Sequence, residues 1–131
     1  VVAAGNKRRN IDARPMYPAA LEMANMITVT AANADGGLAK GVNWGPHSVH
    51  LMAAAEDISV LDYDGEVRQY TGSSYATARI TGLAACLLAR YPDWSTGQLK
   101  AAIFERAQAR IEYVAHGFIT EQQFKQDCEW D

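Results

Sequence analysis

The stretch from Ser74 to Tyr91 constrains this chain most. Ile80, Leu83, Leu87 and Tyr91 recur at three- and four-residue spacing, with Ala76, Ala78, Gly82, Ala84 and Ala85 between them, and Arg79 and Arg90 are its only charges. That is the periodicity of an α-helix, and a helix apolar on most of its sides belongs inside a protein, packed closely against a sheet. Small residues on its faces allow the close approach. Pro92 ends the run.

The segments before the helix supply the sheet. Val1-Val-Ala-Ala4, Met26-Ile-Thr-Val-Thr-Ala31 and Ser48-Val-His-Leu-Met-Ala53 read as short strands, the second of them dense in β-branched residues. Ile58 to Leu61 and Glu66 to Tyr70 flank Asp62-Tyr-Asp-Gly65 and predict a hairpin. After the helix, Ser95-Thr-Gly-Gln98 and Thr120-Glu-Gln-Gln123 each have the form of a capping box, with Trp94/Leu99 and Ile119/Phe124 as the staple pairs, so two further helices follow. Continuous apolar strands mixed with helices predict an α/β fold whose sheet is mostly parallel and covered by helices on both faces.

Composition narrows the function classes. The chain has 131 residues, 49% hydrophobic and 21% charged, which suits one domain or part of one. A net charge of -3 argues against a nucleic-acid partner or an anionic membrane surface, and Lys7, Arg8 and Arg9 read as a solvated loop. No apolar run approaches the roughly 18 residues of a membrane span. Two cysteines do not specify a disulfide framework; Cys86, inside the apolar helix, is expected to be a buried small hydrophobe, and Cys128 lies near the chain end. The apolar opening run lacks an initiator methionine and any capping or turn signal, so residues are expected upstream of Val1.

The chemistry lies in Gly72-Ser73-Ser74, at the mouth of the long helix. A serine there can cap the free backbone N–H groups of the first turn. Alternatively it can act as a nucleophile, with the N–H groups and positive end of the helix beside a developing anion. Neither reading is forced by this stretch alone.

The ordered series Val1-Val-Ala-Ala-Gly-Asn6, Tyr17-Pro-Ala19, Ile27-Thr-Val-Thr-Ala31, Asn43-Trp-Gly45, Ser48-Val-His-Leu51, Gly72-Ser-Ser-Tyr-Ala-Thr77, Leu83-Ala-Ala-Cys-Leu-Leu88 and Tyr91-Pro-Asp-Trp-Ser95 resembles the subtilisin-like serine peptidases, or subtilases. The likeness runs from Val1 to about Phe124, where Gly117-Phe-Ile-Thr resembles the domain's closing turn. It implies the C-terminal part of one three-layer subtilisin-like catalytic domain. Ser74 takes the place of the nucleophile in the family's Gly-Thr-Ser-Met-Ala-x-Pro motif, Ser73 that of its threonine, and Asn6 that of the oxyanion-hole asparagine. Ala3, Ala4 and Gly5 fall on one wall of the pocket for the substrate side chain before the cleaved bond, and Met16 at its base.

The same resemblance sets what the segment lacks. A triad also needs a histidine and an aspartate, which precede the oxyanion asparagine in subtilases. His47, His50 and His116 read as surface residues rather than as a base. The expected partners are therefore a peptide or protein substrate and the upstream half of the same domain, and residues 1–131 alone are expected to be inactive. No cofactor is expected in the chemistry, while structural calcium, common in the family, is possible in the complete domain. The chain departs from the family at Ala78 and Arg79, where Pro and His are usual, and at Ala53-Ala54-Ala55, where Ala-Pro-Gly is usual. These departures leave a non-catalytic, protein-binding module as the alternative.

Overall fold

The structure, a computed structural model, describes residues 1–129. Its centre is a parallel sheet in the order β1-β2-β3-β6, where β1 is Val2–Ala3, β2 Thr28–Ala32, β3 Leu51–Ala54 and β6 Gly117–Ile119. Strands β4 (Ile58–Leu61) and β5 (Val67–Tyr70) form a separate antiparallel hairpin closed over Asp62 to Gly65, as the Asp-Gly signal predicts. The α/β class and the mostly parallel sheet agree with the expectation.

Every residue of β2, β3 and β6 is buried, because both faces of the sheet are covered. On one face, Val29, Ala31, Leu51 and Ala53 meet Ala76, Ile80, Leu83 and Leu87 of α1 (Ser73–Arg90), Ile103 of α2 (Thr96–Glu105) and Phe124 of α3 (Glu121–Cys128). On the other, Ala32, Met52 and Ala54 pack against Ala4, Ile11, Ala19 and Val114, so loop segments cover that side within this chain. The α1 side chains Ile80, Leu83 and Leu87 are fully buried, each stabilising the fold by about 1.5–3 kcal/mol. Among the described residues no helix is long and apolar enough to cross a membrane.

Helix starts follow the sequence signals closely. Ser95 caps α2 through Gln98 N–H while the Gln98 side chain returns to Ser95 N–H, completing the capping box. At α3 only half of the box forms: Thr120 accepts from Gln123 N–H, but the Gln123 amide turns to Asp127, 2.7 Å away.

Three expectations are corrected. Gly117-Phe-Ile is a strand, not merely a closing turn: β6 extends the sheet beside β3, a role fixed by pairing across 66 positions that a three-residue run does not announce. Cys86 is not a buried hydrophobe. It is half-exposed on α1 and bonded to Cys128 of α3, with Cα atoms 5.3 Å apart. One of the histidines, His50, is also not a surface residue. His50 is half-buried, its ring and that of exposed His116 lie against Phe104, and His50 Nδ1 accepts the Thr28 N–H at 2.8 Å. Burial first, then the positive charge of Lys100 and the neighbouring His116 and His47, pushes the His50 pKa down to about 4 against a weaker opposing pull from Glu22.

Candidate active site

Strand β1 delivers Ala4 to the end of the sheet, where the chain leaves its ladder and turns through residues 5–9. Gly5 adopts φ +102°, and a Cβ there would come within 2.6 Å of both Asn43 Nδ2 and Met16 Sδ, so only glycine fits. Asn6 follows, exposed, with its side chain directed at the start of α1.

The two serines at that start have different surroundings. Ser73 is completely buried. Its backbone N–H and its hydroxyl both donate to Asn6 Oδ1, each at 2.9 Å, and the same hydroxyl accepts Gly5 N–H at 3.1 Å. Ser74 is exposed, and among the described residues its hydroxyl has no hydrogen-bond partner. Neither side chain caps α1, whose N-cap is Gly72. Capping therefore does not explain why two hydroxyls stand here.

The bonds to Ser73 fix the orientation of the Asn6 amide. With Oδ1 occupied twice from the helix side, Nδ2 is left as the outward donor; it lies 3.5 Å from where a Cβ on Gly72 would stand. Among the described residues the Ser74 backbone N–H is a second donor without an acceptor, since at the second position of a helix no intrahelical carbonyl reaches it. Two free N–H donors thus flank an exposed hydroxyl at the positive end of an 18-residue helix. Such an arrangement suits a negative oxygen.

Of the remaining candidate residues, Met16 is half-buried and its Sδ accepts from Asn43 Nδ2 at 3.4 Å, which places it under Gly5. Ala3 and Gly5 are half-buried, whereas Ala4 is fully enclosed, its N–H bonded to Val29 and its carbonyl to Asn43. Ala4 can shape a pocket only by holding its neighbours. None of the three histidines bonds to either serine: His47 pairs with Glu22 at 2.5 Å, and His50 and His116 sit against α2.

Residues that the sequence did not single out also gather here. Tyr75, next to Ser74, stacks on Tyr70 with ring centroids 5.4 Å apart, and the Tyr70 hydroxyl donates to Asp62. That bond raises the tyrosine's pKa and lowers the aspartate's. Two tyrosines five apart across a turn were the available signal. Arg79 lies over the Phe124 ring, donates to the Ala54 carbonyl at 2.9 Å and forms a two-pronged pair with Glu121.

A family model described as the Subtilase family matches residues 1–125. The chain belongs to the subtilase family. This subtilase segment is 33% identical over 107 residues to alkaline serine exoprotease A of Vibrio alginolyticus, covering 82% of this chain and 19% of that protein. It is 27% identical over 85 residues to subtilisin-like protease 2 of Plasmodium falciparum, covering 65% of this chain and 6% of the relative. Among solved structures it resembles a cold-adapted subtilisin-like serine proteinase with TM-score 0.77 and 25% identity, over 90% of this chain and 43% of that one. The subtilase segment therefore spans well under half the length of these relatives.

Proposed function

We propose that this chain is the C-terminal part of a subtilase catalytic domain that hydrolyses peptide bonds through an acyl-enzyme on Ser74, and that it needs the domain's upstream half to do so. The observation that carries the reading is the pair of unoccupied donors, Asn6 Nδ2 and Ser74 N–H, beside the exposed Ser74 hydroxyl. In the reaction Ser74 Oγ bonds to the peptide carbonyl carbon and gives up its proton to a histidine of the upstream half, while the two donors stabilise the carbonyl oxygen as it becomes negative. The C–N bond then breaks, the amine leaves with that proton, and water hydrolyses the Ser74 ester by the same route. Ala3, Gly5 and Met16 form the surface for the side chain preceding the cleaved bond, with Ala4 supporting it from below.

Among the described residues no group of three or more His, Cys, Asp or Glu side chains is placed to hold a metal ion, so no step is routed through calcium. In the chain joined to its upstream half, a fluorophosphonate probe is expected to label Ser74 and to lose all labelling in Ser74→Ala. A folded protein that never reacts would establish the non-catalytic module instead. Residues 1–131 alone are expected to label poorly, and peptidase turnover by that segment would contradict the need for an upstream base.

A further inference from the structure

The donor Asn6 sits on a loop that has little reason to hold one shape. Between Ala4 and Arg9 the chain leaves the sheet, and Arg8 adopts φ +53°, a left-handed conformation that costs a non-glycine residue about 1–2 kcal/mol. Asn6, Lys7 and Arg8 are exposed, so apolar packing does not anchor them.

One side chain gathers this segment. Asn43 is 0% exposed. Its Oδ1 accepts both Lys7 N–H and Arg9 N–H at 3.0 Å, and its Nδ2 donates to the Ala4 carbonyl at 2.8 Å. Its backbone N–H donates to the Gly5 carbonyl at 2.8 Å, and its own carbonyl is held by the Thr30 hydroxyl on β2. The Asn43 amide therefore bonds the chain on both sides of Asn6, while the sheet holds Asn43 from behind. Its two oxygen lone pairs and its amide donor match the three backbone groups that the turn leaves without partners. Aspartate would supply the acceptor but not the donor, and alanine neither.

We propose that Asn43 is the positioning residue of the oxyanion donor: it fixes the 4–9 loop so that Asn6 meets Ser73 with Nδ2 outward. This inference rests on the reading of Asn6 as that donor. Asn43 touches no substrate and acts only through the loop.

The test uses the chain joined to its upstream half, with two readouts. The first is fluorophosphonate inactivation, separated into binding and bond formation. Misplacement of a reacting group by about an ångström costs roughly 100-fold, so Asn43→Ala is expected to lower the rate of bond formation by about 10–100-fold with reagent affinity within about twofold. Asn43→Asp should fall between Asn43→Ala and the unaltered protein. In an Asn6→Ala background the Asn43→Ala loss should shrink to less than about threefold, because the donor being positioned is gone. The second readout, amide hydrogen exchange, judges the loop whether or not Ser74 reacts: in Asn43→Ala, Lys7 and Arg9 should lose protection while Leu83 and Leu87 of α1 keep theirs. Equal losses in both backgrounds would overturn the proposal, as would unchanged protection at Lys7 and Arg9. An unreactive but folded parent protein with the expected exchange pattern would refute the catalytic reading and leave the loop bracket standing. Should Asn43→Ala not fold, Asn43→Asp carries both comparisons.

Discussion

Breaking the Cys86–Cys128 bond gives the sharpest test of what holds α3 in place. The two cysteines are 42 positions apart, and in the loop-closure model a crosslink of that span removes about 13 cal/mol/K of entropy from the unfolded chain, or about 4 kcal/mol at 25 °C. The double variant Cys86→Ala/Cys128→Ala should therefore unfold at a temperature lower by on the order of 10–20 °C for a domain of this size. The folded state should change little, because α3 keeps other ties. Buried Asp127 is bonded by Arg106 at 2.8 Å, and Glu121 is paired with Arg79. Thermal unfolding followed by far-UV circular dichroism, under oxidising conditions and with dithiothreitol, measures the first effect; hydrogen exchange along Glu121–Cys128 in the native state measures the second. A reduced protein that unfolds within a few degrees of the oxidised one would refute the loop-closure argument. Large native-state loss of protection in α3 would show instead that the bond acts as a tether in the folded protein.

Two other expectations concern stability. His50 is held neutral in the fold, with a pKa of about 4 against 6.5 for the free side chain; its contribution is complete above pH 6.5 and diminishes as pH falls toward 4, and solvent screening of the partly exposed ring keeps it well below the roughly 3 kcal/mol of the full shift. In His50→Asn, urea denaturation between pH 7 and pH 4 should lose much of that slope, with a smaller part persisting through His116, whose pKa burial and Lys100 also lower. Ser95→Ala removes the acceptor for Gln98 N–H and should cost about 1 kcal/mol in the same denaturation assay; no change would mean that α2 is held by packing alone.

What could be read from the sequence was what neighbours along the chain decide. The apolar period of α1, the Asp-Gly hairpin and the Ser95 capping box depend on residues within one or two turns, and each appears where expected. The contrast between Ser73 and Ser74 was legible only through resemblance, since identical side chains one residue apart differ in surroundings supplied by Gly5 and Asn6. Asn43, the cysteine pair and β6 were hidden for the same reason: each takes its role from a partner more than 30 positions away. His50 misled because a polar residue among apolar ones suggests solvent, whereas its ring nitrogen serves as the acceptor for a strand N–H.

The bond between Asn6 and Ser73 spans 67 positions, and this gives the site a timetable. A ribosome adding about 5–20 residues per second releases Asn6 some 3–13 s before it makes the hydroxyl and N–H that will aim it. Until then the Ser73 bonds that orient the amide do not exist. A nascent or nicked chain ending anywhere between the two residues thus carries the asparagine without its alignment, and the donor arrangement assembles only when distant parts of the polypeptide have met.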